Sequence, residues 1–192
     1  MSRYFATRPA PLVERLLERG LRNTDERVAA DKPVTPTFLL ALLLYGPIAA
    51  AIEASPPERW HETDAILDAV EHAVRGAQGR VTIPKRFSLG VRELFALQPR
   101  LEHPRGRRAL RLLEHPRFRA AYDLLVLRAG LGLAPRAMAD WWTRVQQVSP
   151  EERGPMADEL ARTGAGEADP KRGSRRRRPR RRKAGARVPD AS

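Results

Sequence analysis

Pro33-Val34-Thr35-Pro36-Thr37-Phe38-Leu39-Leu40-Ala41-Leu42-Leu43-Leu44-Tyr45-Gly46-Pro47-Ile48-Ala49-Ala50-Ala51-Ile52 runs for 20 residues without a charge. Its reading decides the fold. The length suits a bilayer span. Pro33, Pro36 and Pro47 interrupt it, however, and the unbroken apolar part is shorter than a bilayer needs. The reading taken is a buried core helix, with a membrane span as the alternative. Thr35-Pro36 supplies a start, an N-cap threonine followed by proline at the first helical position. Gly46-Pro47 is expected to kink or end the helix, because proline lacks the N–H and its ring crowds the carbonyl four residues back.

The flanking sequence also reads as helix. Pro11 suits a first turn, and Val13, Leu16, Leu17 and Leu21 follow at steps of 3 and 4. Glu58 to Ala77 sets Trp60, Leu67, Val70 and Val74 on one side, and Gly76 and Gly79 close it. Val81-Thr82-Ile83-Pro84 reads as a short extended link. Ser88 to Leu97 is a helix that Pro99 is expected to end. Gly106 to Leu113 is another, stopped before Pro116. Pro116 opens the next, with Phe118, Tyr122, Leu125 and Val126 inward. Ala134-Pro135 starts a helix carrying Trp141 and Trp142. Ser149-Pro150-Glu151-Glu152 is a capping box for a last helix to about Arg162. Leu-Glu-His-Pro-Arg occurs at 101–105 and again at 113–117, and reads as one helix-to-helix turn used twice. The expected fold is all-α, a compact multi-helix domain over 1–163. Residues 164–192 are expected to form a disordered, arginine-rich basic tail.

Charge divides the 192 residues unevenly. The net charge is +13, of which +10 comes from the last 22 residues. Within the body, Arg80 to Arg119 holds 11 basic residues against Glu93, Glu102 and Glu114. Such patches favour polyanions, nucleic acid before anionic membrane. The candidate phosphate contacts are Lys85, Arg86, Arg105, Arg107, Arg108, Arg111, Arg117 and Arg119; a solvated helix face is the alternative reading. In the tail, Arg175, Arg176, Arg177, Arg178, Arg180, Arg181 and Arg182 repel one another and cannot pack. Polyanion binding is their expected role, with solubilisation as the alternative. Arginine suits phosphate forks and base stacking better than lysine. Trp141 and Trp142 are read as core, with base stacking as the alternative.

No active site is legible. With no cysteine there is no disulfide framework, Cys-ligated zinc, iron–sulfur site or cysteine nucleophile. His61, His72, His103 and His115 show no ligand spacing. Asp64, Asp68 and Glu71 read as a solvated face rather than a metal site. No P-loop, GxGxxG or GxSxG motif occurs, so no catalytic residue and no metal ligand is assigned. No targeting segment is evident at the N-terminus, and a cytoplasmic location is expected.

Leu112-Leu113-Glu114-His115-Pro116-Arg117-Phe118-Arg119-Ala120-Ala121-Tyr122-Asp123-Leu124-Leu125 resembles the C-terminal part of the bacterial poly(A) polymerases, class II nucleotidyltransferases. Ile83-Pro84-Lys85-Arg86-Phe87, Leu97-Gln98-Pro99-Arg100-Leu101, Trp141-Trp142 and the arginine-rich end are similar to that family and keep its order. So do Arg3-Tyr4-Phe5 and Arg22-Asn23-Thr24-Asp25. The resemblance implies the helical body and RNA-binding C-terminal region of an enzyme that adds adenylates from ATP to RNA 3′ ends with Mg²⁺. It implies a catalytic head with a Gly-Ser motif and an Asp-x-Asp pair. No residue here matches that head, so the chain alone is expected to be inactive and to hold no cofactor, the ATP and Mg²⁺ belonging to the full-length enzyme. Implied partners are RNA, a head domain supplied in cis or in trans, and RNA-decay machinery. A standalone RNA-binding or interaction module is the alternative.

Overall fold

The computed structural model describes residues 10–59 and 62–163. The expected tail, its arginines, Trp60 and His61 lie outside them. Seven α-helices follow in order among the described residues: α1 Ala10–Ala29, α2 Pro36–Glu53, α3 Thr63–Gln78, α4 Lys85–Glu102, α5 Phe118–Ala129, α6 Arg136–Gln147 and α7 Pro150–Thr163. Short 3₁₀ turns occupy Pro57–Arg59 and, at unusual length, Gly106–Glu114. No strand occurs among these residues, and the protein is all-α.

The apolar stretch is α2. Thr37, Ala41, Leu42, Leu44, Tyr45, Ile48 and Ala49 are buried, packed on α1, α3 and α4. It remains the one described helix long and apolar enough to cross a membrane. Pro47 does not end it; the helix runs on to Glu53. The carbonyl that Pro47 leaves without a donor is Leu43's, and Leu43 is 56% exposed, so water reaches it. Pro99 likewise lies inside α4, which continues to Glu102. α4 also starts earlier than Ser88, directly after Pro84.

Gly20 sets the approach of α1 to α2: a Cβ there would stand 2.5 Å from Leu42 Cδ1. At the other end of the core, Trp142 is fully buried. Its Nε1 donates to Leu101 O at 2.9 Å, pairing one of the last carbonyls of α4 that no helical N–H reaches. Trp141 meets it edge-on at 4.7 Å and is also buried. Both tryptophans are therefore core, and stacking on bases is excluded for them.

Three inward assignments change. Leu21 and Val126 are exposed (41% and 38%) and Leu67 only half-buried, since the core side of α3 is centred on Ile66, Ala69, Val70 and Ala73. The residues from Gly106 to Glu114 wind as 3₁₀ rather than α, entered through Gly106 at φ +49, a left-handed conformation that glycine adopts freely. Both Leu-Glu-His-Pro-Arg copies join one helix to the next, but with different backbone turns: His103 and Arg105 have ψ 65 and 89, His115 and Arg117 ψ 130 and 4. Each histidine follows the last helical residue and each arginine, Arg105 and Arg117, sits at the N-cap of the next helix. The helix begins two residues beyond the proline, not on it.

Candidate nucleic-acid interface

Seven of the eight candidate cations of the body lie at three helix starts, and Arg111 lies in the last turn of the 3₁₀ segment. Lys85 and Arg86 open α4, Arg105 to Arg111 lie on the 3₁₀ segment, and Arg117 and Arg119 open α5. None of these three elements has an acid in its first turn. A helix N-terminus carries a partial positive charge, so cations placed there work against stability. They also create a site where backbone N–H groups and side-chain charge both favour an anion.

The cations divide by what they touch. Arg107 is committed: Nε donates to both Asp158 oxygens at 3.0 Å and Nη2 to Oδ2 at 2.6 Å, clamping the 3₁₀ segment to α7. The Asp158 hydrogen bond raises Arg107 above its ordinary range, and the Arg107 hydrogen bond lowers Asp158. Arg117 Nε donates to Glu93 at 2.9 Å, and Arg119 Nε to Asp123 at 3.2 Å. Lys85, Arg86, Arg108 and Arg111 are exposed and make no ion pair with any described residue. Arg86 lies over the Phe87 ring at 4.7 Å. At 3.0 residues per turn and about 2 Å rise, Arg108 and Arg111 eclipse one another about 6 Å apart. The same geometry turns Arg107 away from them toward α7, so the three do not form the single row that an α-helical reading implies.

Arg117 and Arg119 also line a cleft of about 110 Å³ with Arg27, Thr35, Thr37 and Asp123. Arg27 was not legible as part of the site; it lies some 90 residues away and comes in on α1. Its Nη2 donates to Pro33 O at 3.0 Å. Asp123 is raised above the usual carboxylate range by burial, against the pull of Arg119 and Arg27. Among the described residues no group of three His, Asp or Glu side chains is placed to hold a metal ion.

A family model described as the polymerase A arginine-rich C-terminus matches residues 58–183, which include all eight candidate cations of the body. The chain belongs to that family. Its similarity to curated poly(A) polymerases extends further. It is 35% identical to poly(A) polymerase I of Escherichia coli O157:H7 over 189 residues, covering 95% of this chain and 38% of that enzyme. It is 34% identical to the Salmonella typhi poly(A) polymerase I over 185 residues (95% and 38%) and 31% to that of Haemophilus influenzae over 185 (95% and 40%). The chain thus spans about two fifths of the length of these poly(A) polymerases.

Proposed function

We propose that this chain is the RNA-gripping helical region of a poly(A) polymerase, serving the addition of adenylates from ATP to RNA 3′ ends in the cytoplasm and hence RNA decay. The observation that carries the reading is the set of cations on three elements whose first turns hold no acid, with Lys85, Arg86, Arg108 and Arg111 making no ion pair with a described residue. Family membership supports RNA as the polyanion. Contacts of this kind hold the strand by its phosphates and do not read sequence. The arginines from Arg175 to Arg182 add non-specific attraction. Chemistry on ATP with Mg²⁺ belongs to the part of the polymerase that the relatives carry beyond the matched region, supplied in cis or in trans.

The test is RNA affinity across a salt series. Each phosphate contact contributes about 0.7 to the slope of log K against log salt for single strands. Arg108→Ser with Arg111→Ser should lower the slope by about 1.4, and removal of residues 171–192 should flatten it further. Unchanged affinity and slope in both variants would refute RNA binding through these residues.

A further inference from the structure

One flank of the α1–α2 hairpin carries apolar residues that no described residue covers. Leu21 (41% exposed) and Val28 (64%) lie on α1, and Leu43 (56%) on α2. Six residues connect the two helices, so they run antiparallel, and they touch at Gly20 and Leu42. Leu21 and Leu43 each stand one residue beyond that contact. One step past the contact on each of two antiparallel helices falls on the same side of the pair. Half-exposed Leu39, a turn from Leu43, extends the patch. No charge breaks α2 between Pro36 and Ile52. Exposed apolar residues scattered singly need no partner, but residues gathered on one flank mark an interface.

The charges beside the patch select among occupants. Glu14, Glu18, Leu21, Asp25 and Val28 follow at steps of 4, 3, 4 and 3, one stripe of α1. All three acids are exposed, and none is ion-paired with a described residue. A second copy docked by two-fold symmetry would set these acids against their own counterparts. An anionic membrane or RNA would meet the same repulsion. A protein surface with an apolar ridge and a Lys or Arg border fits.

We infer that this flank docks the N-terminal part of the polymerase. The inference rests on the function proposed above. The relatives carry about three fifths of their length outside the match, and the matched family region is their C-terminus, so that remainder precedes this region. α1 and α2 are the first described elements and precede the family match, which begins at residue 58. The unpartnered surface therefore lies on the described elements nearest in sequence to that remainder.

The experiment replaces Leu21, or separately Leu43, with a photo-crosslinking phenylalanine in the protein expressed from its own gene, and maps the crosslinked peptides by mass spectrometry. The expected peptides come from a segment homologous to the N-terminal part of the poly(A) polymerases, on the same polypeptide or another. Glu14→Lys, Glu18→Lys and Asp25→Lys together should cut the yield at least about tenfold without changing the thermal midpoint. Crosslinks to a second copy, to lipid, to RNA or to an unrelated protein overturn the inference, as does an absence of crosslinks or a yield that survives the charge reversal. Arg108→Ser with Arg111→Ser should leave the crosslinks intact. Docking without RNA binding, or RNA binding without docking, therefore tells which of the two readings has failed.

Discussion

Glu93 accepts a hydrogen bond from Arg117 Nε at 2.9 Å, tying the middle of α4 to the N-cap of α5. Arg117 is about one third exposed and Glu93 about half, so the pair is accessible to water and weak. A phosphate arriving at the start of α5 competes with Glu93 for the same guanidinium. Glu93→Gln should therefore strengthen RNA binding about two- to threefold and steepen its salt dependence, while Arg117→Gln weakens it. Titrations at two salt concentrations check the sign. Weaker binding on losing Glu93 would mean that the carboxylate positions Arg117 rather than competing for it.

The helical class was legible because prolines, caps and 3.6-residue periodicity agree from Pro11 to Glu152. Helix ends were less so. Pro47 was expected to kink or end its helix and Pro99 to end its own, but tertiary packing holds α2 and α4 through them. The 3₁₀ winding of Gly106–Glu114 was hidden, since Ala109 and Leu112, buried at a spacing of three, suit either helix. That winding separates Arg107 from Arg108 and Arg111. The site's residue types were legible as local charge excess, whereas the partition into paired and open cations was not. Asp158 lies 51 residues from Arg107 and Glu93 lies 24 from Arg117.

Asp123 and Asp158 should give opposite pH responses. The Arg107 bond lowers Asp158, so its contribution to stability is present above the ordinary carboxylate pKa of about 4 and is lost as pH falls through its lowered value. Burial raises Asp123, so the folded state takes up that proton more readily than the unfolded chain, and acidification favours folding at this position. In urea melts between pH 7 and pH 3, Asp158→Asn should lose less stability than the parent on acidification and Asp123→Asn more. Parallel curves for all three proteins would show that neither carboxyl is linked to folding.

Acid should also tune the cleft. Protonation of Asp123 releases Arg119, which is held at 3.1–3.2 Å. RNA affinity should thus rise from pH 7 to pH 4 more in the parent than in Asp123→Asn, which starts with Arg119 already released. The comparison needs only binding curves at the two pH values, and equal gains would remove Asp123 from the interface.

Arg128 anchors the opposite side of the core. Its guanidinium donates to the Glu102 carboxylate, to Tyr45 Oη at 3.3 Å, to Gln98 Oε1 at 3.0 Å and to Leu133 O at 3.1 Å. Burial pulls Arg128 down, yet the Glu102 and Tyr45 contributions leave it raised overall. Sequence reading gave Arg128 no role, because a lone arginine near the end of a helix looks like surface. Arg128→Met should leave Glu102 charged and buried with no cation, at a cost of about 3–5 kcal/mol. The double variant Arg128→Met with Glu102→Leu removes both charges and should recover most of that loss. A double variant no more stable than the single one would show that packing of the guanidinium, rather than charge pairing, holds α2, α4 and α5 together.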